Sequence, residues 1–286
     1  MQKVLSCFLL ALVFACSSAG AQVTDWRENM RNLIYSPRYF GPNAFPLPEL
    51  QSGQTATRFL VELRGEYHDY SGDPTSDYLV RLLYPVVKGK ASVELFFIFK
   101  EAYLMTPQVR DERHADQLQS PIPYAGDVVI TTSYQILDGR PPYLPDLMLS
   151  AGLKTASGGR LCDARFTDAA TYWADAVFGA DLFSSSHSSF RLQAMGGFYC
   201  WMTNDLVHRQ NDAILYGAGF TATHRLLSLS TDLSGFYGYK DNGDRPLHLR
   251  NALSCEYRRN ILTFRFTYGM KDRLYNTYSL SYTRAF

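Results

Sequence analysis

Hydrophobic and polar residues alternate along many segments of this chain from about residue 57 onward. The clearest segment is 58–68, whose faces carry Phe59, Val61, Leu63 and Tyr67 on one side and Arg58, Glu62, Arg64, Glu66 and His68 on the other. A period of two is that of a β-strand whose two faces meet different surroundings. The pattern therefore predicts strands that carry one apolar face and one polar face.

Twelve segments fit this pattern. Short connections such as 88–90 and 259–260 alternate with longer ones such as 105–123 and 157–171. This alternation is typical of a transmembrane antiparallel β-barrel with short periplasmic turns. We predict an all-β barrel of about 12 strands over residues 57–286, with both chain ends in the periplasm. The predicted strands are 57–68, 78–87, 91–104, 124–137, 144–156, 172–183, 190–201, 213–224, 226–239, 246–258, 261–270 and 275–286.

Aromatic residues fall near both ends of the predicted strands, as expected for the two girdles of a membrane barrel. At the ends with long connections they are Tyr67, Tyr103, Trp201, Tyr237 and Tyr268. At the ends with short turns they are Phe59, Tyr84, Phe183, Phe190 and Tyr257. The alternative, a secreted sandwich, would need a large apolar interior on one face of every strand.

Composition and charge further narrow the class of protein. Although 46% of residues are hydrophobic, no apolar run after the first two dozen positions is long enough to span a bilayer as a helix. Lys and Arg total 28 against 27 Asp and Glu, and the counts become equal without Lys3. A neutral chain without basic arms argues against nucleic acid as a partner.

Residues 1–21 combine Lys3, an apolar stretch and an A-x-A cleavage site, which together predict a secretory signal peptide. A lipid anchor at Cys16 remains the alternative. The rest of the chain holds three cysteines, too few for a disulfide framework, although the first two could pair: Cys162, Cys200 and Cys255.

The last predicted strand ends in Phe286 and has apolar residues at alternate positions before it. It resembles the C-terminal assembly signal of Gram-negative outer-membrane β-barrels. The resemblance implies delivery to the barrel-assembly machinery, contact with outer-membrane lipids and location in the outer membrane of a Gram-negative bacterium. Arg284 departs from the pattern, but a long side chain can reach the headgroups. The resemblance covers the last strand and, more diffusely, 57–286, and it names no solute.

Residues 22–56 do not alternate and are rich in aromatic residues and proline, which blocks regular strand pairing. We call this segment the arm. It is either a partial plug folded into the barrel mouth or a periplasmic tail packed beneath the barrel. The chain thus divides into a signal peptide (1–21), the arm (22–56) and the barrel (57–286).

The polar faces of the strands predict the side chains that line the lumen. Strands 10, 11, 12, 1 and 2 become contiguous on closure and carry six arginines, whereas the opposite wall is mostly acidic. Such a lumen either orients a polar solute in a transverse field or is filled by ion pairs. The candidates are Arg58, Glu62, Arg64, Glu66, His68, Arg81, Glu94, Lys100, Lys154, Asp175, Asp181, Arg191, Asp232, His248, Arg250, Glu256, Arg258 and Arg265.

Two clusters of charged, amide and aromatic residues fall in the long connections after strands 5 and 7. They could hold a sugar or another polar ligand, or they could be solvated loops tied by local ion pairs. The candidates are Arg160, Asp163, Arg165, Asp168, Tyr172, Trp173, Asn204, Asp205 and His208.

Some 12-stranded outer-membrane proteins are lipid hydrolases, which need a nucleophile beside a base. The nearest local match, His187 and Ser188, falls in a short turn on the periplasmic side, and the common hydrolase motifs are absent. We therefore predict no enzyme, no cofactor and no metal, and a channel for small polar or charged solutes. The alternatives are a non-conducting structural or accessory barrel of an envelope assembly and, less favoured, a lipid hydrolase.

Overall fold

A computed structural model describes residues 32–120, 123–139 and 144–286. The predicted signal peptide, including Cys16, lies outside these residues. The described residues contain a helix, α1 (Pro107–Arg113), and no helix long and apolar enough to cross a membrane. The strands are β1 (Leu60–Asp69), β2 (Thr75–Val87), β3 (Ala91–Tyr103), β4 (Val128–Leu137), β5 (Asp146–Lys154), β6 (Thr171–Ser184), β7 (Ser188–Met202), β8 (Gln210–His224), β9 (Leu227–Gly238), β10 (Leu247–Tyr257), β11 (Asn260–Lys271) and β12 (Asn276–Ala285).

These strands form a closed antiparallel barrel in which each strand pairs with its neighbours along the chain. Pairing of β1 with β12 closes the sheet, with Leu60 opposite Ala285 and Asp69 opposite Asn276. Closure leaves no sheet edge unpaired, which a strand-built structure requires in hydrocarbon. The predicted 12-stranded all-β barrel is confirmed.

The two faces of the strands differ as the alternation predicts. Leu63, Leu149 and Phe264 project outward with 55%, 44% and 51% of their surface exposed. Their neighbour Arg64 is buried on the inner face. An apolar outer surface around a polar interior suits lipid on the outside.

The aromatic girdle at the short-turn end is present, since Phe59 packs against Tyr84 and Phe286 with ring centroids 5.8 and 5.6 Å apart. At the long-connection end, Tyr67, Tyr237 and Tyr268 are exposed on the outer face.

The prediction was wrong for Tyr103 and Trp201, which are buried inside the barrel. Trp201 lies ten residues after Arg191 on the same strand and therefore shares its inward face. The alternation itself thus predicts the inward position of Trp201.

A β-bulge at Phe99 explains why Tyr103 faces the barrel interior and why the lumen candidate Lys100 does not. Tyr78 pairs with Lys100 and Leu79 pairs with Ile98, so Phe99 has no partner and the alternation reverses. Lys100 consequently faces outward, with Nζ 5.8 Å from the centre of the Tyr78 ring. Glu101 occupies the inward position instead and is buried.

The described part of the arm runs through the barrel interior from one end to the other. At the long-connection end, the Asn204 amide donates a 2.8 Å hydrogen bond to the carbonyl of Leu33. At the short-turn end, the Gly89 amide donates to the carbonyl of Ala56, and β1 begins nearby. The sequence predicted either a partial plug at the barrel mouth or a periplasmic tail beneath the barrel. The described part of the arm instead extends along the whole lumen.

Candidate functional site

Aromatic side chains anchor the arm at the long-connection end. The Trp201 indole donates a 2.8 Å hydrogen bond to the Tyr35 carbonyl, and its ring packs on Phe45 with centroids 5.5 Å apart. Phe40 packs on both Tyr35 and Phe45. Buried aromatic pairs of this kind stabilise a contact beyond the area they bury. We call these residues, with Tyr199 and Phe236, the aromatic cluster.

Below this cluster the arm presents one carboxylate to a set of arginines. Glu49 lies 3.1 Å from Arg64, 3.3 Å from Arg81 and 3.1 Å from Arg265. These arginines come from β1, β2 and β11, which the closed barrel brings to one side. The basic side that the sequence predicts is therefore occupied by the arm. We define the basic wall as Arg64, Arg81, Arg250, Arg265 and Arg273.

Carboxylates of the barrel neutralise part of the basic wall. Glu62 lies 2.8 Å from Arg64, and Glu94 lies 2.6 Å from Arg81. Among the described residues, Arg265 forms an ion pair only with Glu49. The arm thus supplies the main counter-charge to Arg265.

A cavity of about 150 Å³ remains beside the arm in the middle of the lumen. The whole basic wall lines it, together with residues 46–49 of the arm. Asp175 lines the same cavity and is buried. This cavity has room for several water molecules or a small solute.

Arg273 was not predicted to line the lumen because it lies in the connection between β11 and β12. Burial lowers the pKa of Arg273 to about 10, which still leaves it protonated at neutral pH. Strand alternation cannot show that a connection folds inward, so the sequence carries no signal for this residue.

Polar contacts hold the arm at the short-turn end. Arg191 donates a 2.9 Å hydrogen bond to the Ser52 carbonyl and forms an ion pair with Asp146. The Gln54 amide also donates to Asp146, at 2.9 Å. Buried polar groups need hydrogen-bond partners, and the arm supplies some of those of Arg191 and Asp146.

Arg165, predicted as a loop ligand, is instead fully buried inside the barrel. It lies 2.7 Å from Asp73 and 3.0 Å from Glu101, and its guanidinium lies over the Tyr103 ring. Arg113 of α1 also contacts Asp73, at 2.7 Å. We call these charged residues the outer network. The long connections fold inward here, so Arg165 is not open to an external ligand.

The outer network lowers the pKa of the Asp73 carboxyl. Burial alone would raise its pKa, but the charges of Arg165 and Arg113 outweigh burial and hold the pKa below its usual value. Asp73 therefore stays ionised inside the outer network at neutral pH.

The other loop candidates do not form one cluster. Asp168 accepts a 2.6 Å hydrogen bond from the Tyr35 hydroxyl, and Arg160 pairs with the buried Asp163 at 2.5 Å. Trp173 stacks on Tyr199 inside the barrel.

Tyr172 faces outward, while Asp205 pairs with Lys240 at 2.8 Å and with His208 at 3.3 Å. Asn204 holds the arm through Leu33. Of the two alternatives for these connections, the local ion pairs are present at Asp205 and at Arg160, while binding of an external ligand there stays a prediction.

Four lumen candidates lie at the short-turn rim. Arg58 pairs with Glu256 at 2.8 Å, and both side chains are more than two-fifths exposed. Arg258 occupies the turn after β10 with a φ of 59° and lies over the Tyr257 ring. Asp181 is about half exposed and lies 3.0 Å from Arg191. Asp181 and Glu256 lie close to the ends of β6 and β10, and Arg58 and Arg258 lie just outside the strands, so these side chains reach the solvent at the rim and do not line the enclosed lumen.

The remaining inward candidates lie within the barrel, as the alternation predicts. Lys154 lies 2.5 Å from Asp127, and Arg250 lies 3.7 Å from Asp232. These candidates are Glu62, Glu66, His68, Glu94, Lys154, Asp175, Arg191, Asp232 and His248, with Arg64, Arg81, Arg250 and Arg265 of the basic wall.

Glu66, His68 and Asp77 place potential cation ligands within 4.8 Å of one another. Both ring nitrogens of His68 already have partners, since they lie 2.8 Å from Asp77 and 2.7 Å from Thr277. The Asn43 amide also donates to Asp77. The arrangement is accounted for by hydrogen bonds between these side chains.

Hydroxyl and imidazole groups approach each other at the short-turn end. The Ser188 hydroxyl lies 2.8 Å from Nδ1 of His224, and the Ser186 hydroxyl lies 2.7 Å from Nδ1 of His187. Ser186, His187 and His224 are exposed and Ser188 is half-buried, and in the described part of the chain neither histidine has a carboxylate within ion-pair distance. Cys162, Cys200 and Cys255 are free thiols.

The fold of the chain is similar to those of solved outer-membrane proteins. The chain is similar to an outer membrane channel from Pseudomonas putida F1, with a TM-score of 0.56, 11% identity, 86% of this chain and 99% of that chain covered. The chain has the fold of a Gram-negative outer-membrane β-barrel. A second similar structure is the KdgM porin, with a TM-score of 0.47, 10% identity and coverage of 79% and 99%. No protein-family model matches this chain, and no curated protein matches its sequence.

Proposed function

We propose that this barrel is an outer-membrane channel for small polar or charged solutes, closed by the arm in the conformation described. The observation that carries the proposal is the cavity of about 150 Å³ between the arm and the basic wall. A barrel built only as a scaffold gains nothing from a charged void, because unfilled space and incompletely paired charges both lower stability.

The kind of contacts that hold the arm supports a role for the arm in opening the lumen. The described arm lies in no strand of the barrel, and its middle is rich in proline (Pro42, Pro46 and Pro48). Side-chain contacts hold it, namely the aromatic cluster, Glu49 and the polar groups near Ser52. An arm held this way can leave the lumen without breaking any pairing between strands.

The similarity to a structure described as an outer membrane channel also supports the proposal. We further propose that the protein uses the barrel-assembly machinery and contacts outer-membrane lipids, as its terminal Phe286 and apolar outer surface suggest. No enzymatic activity forms part of the proposal.

The outer network favours a second candidate, a non-conducting structural or accessory barrel. Arg165, Asp73 and Glu101 are fully buried and tie the long connections together across the barrel mouth. A closed mouth would suit a scaffold for an envelope assembly.

Liposome swelling separates these two functions. Full-length protein would be inserted into liposomes as wild type and as Phe45→Ala, which removes a ring from the arm's anchor. Such substitutions cost about 3–5 kcal/mol when the ring is well packed. Phe198→Ala is the matched control, since Phe198 faces outward on the strand that carries Trp201.

If the protein is a channel, we expect arabinose to enter the liposomes slowly through wild type and faster through Phe45→Ala. Entry through Phe198→Ala should occur at the wild-type rate. A heat-modifiability gel would establish that each variant is folded and inserted. Folded barrels that admit no arabinose in any of the three forms would contradict the channel and favour the scaffold.

A further inference from the structure

We infer that the basic wall is a binding site for the carboxylate group of a small organic acid, and that Glu49 is the chain's own occupant of that site. This inference rests on the proposed channel function, and it specifies the chemical class of solute.

The first observation is the environment of Glu49. One carboxylate contacts three guanidinium groups from three strands, at 3.1, 3.3 and 3.1 Å. Arginine is well suited to carboxylates because its planar fork gives directed, charge-assisted hydrogen bonds. The carboxylate belongs to the arm and not to a strand, so the arginines remain in place if the arm moves.

The second observation is a set of unused donors. Among the described residues, Nη2 of Arg64, Nε of Arg81 and Nε of Arg273 are buried and have no hydrogen-bond partner. Arg64 is itself only 6% exposed. Buried charged donors without acceptors are costly, and Glu49 alone leaves these unsatisfied.

The third observation is that these arginines surround an available space. Arg64, Arg81, Arg265 and Arg273 all line the cavity of about 150 Å³. A carboxylate that entered this cavity would compete with Glu49 for Arg64, Arg81 and Arg265. Binding of the acid would therefore weaken the arm's hold on the wall.

The test uses three probes of nearly equal size and different charge: butyrate, butyramide and butylamine. Saturation-transfer NMR on the full-length protein in detergent measures weak binding directly and does not depend on conduction. We expect butyrate to bind, butyramide to bind more weakly and butylamine to show no specific binding.

Variants then test the role of Glu49. Glu49→Gln keeps the side-chain shape and removes the competing charge, so butyrate should bind on the order of tenfold more tightly. Glu49→Gln combined with Arg265→Gln removes both partners of one ion pair and should lose that gain. Glu256→Gln removes a carboxylate at the rim, outside the cavity, and should bind butyrate as wild type does.

Equal binding of butylamine and butyrate would overturn the inference, as would unchanged butyrate affinity in a folded Glu49→Gln protein. The result of the butyrate-binding test can be distinguished from the result of the arabinose test of channel function. Butyrate binding by a barrel that admits no arabinose would keep the carboxylate site and refute the channel, whereas arabinose entry without butyrate binding would do the reverse.

Discussion

Nη1 of Arg265 on β11 donates a 3.1 Å hydrogen bond to the carboxylate of Glu49 on the arm. Arg265 and Glu49 are separated by 216 residues in sequence. Their contact joins the segment that fills the lumen to the wall of the barrel. The state of the lumen therefore depends on how strongly this pair and the aromatic cluster hold the arm.

The first prediction concerns the strength of this pair. Glu49→Gln should destabilise the protein more than the double variant Glu49→Gln with Arg265→Gln, because the single change leaves the half-buried Arg265 without its counter-charge. Guanidinium unfolding in detergent, run as a double-mutant cycle, should give a coupling of about 1–3 kcal/mol. Additive effects of the two changes would mean that the contact has little energetic weight.

The second prediction concerns topology. Cysteines 162, 200 and 255 would be replaced by serine, and Val207→Cys or Ser186→Cys introduced, since both positions are exposed at opposite barrel ends. An impermeant maleimide on intact cells should label Val207→Cys and leave Ser186→Cys unlabelled until the cells are opened. Labelling of Ser186→Cys alone in intact cells would mean that the barrel is inverted in the membrane.

The third prediction concerns the lipid face. Leu63→Arg, Leu149→Arg and Phe264→Arg should each impair membrane insertion, by about 2–4 kcal/mol near the middle of the bilayer. Thr131→Ser and Thr267→Ser, on the inner face, serve as mild controls. Heat-modifiability gels on membrane fractions report the folded share. Normal insertion of all three arginine variants would show that these faces do not meet lipid.

The fourth prediction concerns pH. Because the pKa of Asp73 is lowered in the folded protein, its ionised form stabilises the fold above the unfolded pKa of about 4. That contribution is lost as the pH falls through the lower folded value. Stability measured from pH 7 down to pH 2 should therefore fall less steeply below about pH 4 in Asp73→Asn than in wild type. Identical slopes would show that Asp73 is not held ionised by Arg165 and Arg113.

The sequence predicts the barrel well because alternation is a local property. Leu63 and Arg64 fall on opposite faces by their positions alone, and the same period assigns the four strand arginines of the basic wall to the inner face. Trp201 could also have been assigned correctly by counting from Arg191 on the same strand.

Other features depend on interactions that no local pattern contains. A single unpaired residue, Phe99, reverses the faces of Lys100 and Tyr103. Arg165 and Arg273 enter the interior from connections, where no period applies. The path of the arm is set by partners far away in sequence, such as Trp201 and Arg265.

The most direct test of the proposed channel is the reversal potential of full-length protein in a planar bilayer under a potassium chloride gradient. We predict discrete conductance steps that are more frequent in Phe45→Ala, with a preference for chloride in wild type. Neutralising Arg64, Arg250 and Arg265 together should shift that preference toward potassium, because the confined lumen loses three positive charges. Fully inserted wild-type and Phe45→Ala proteins that show no conductance steps would contradict the account.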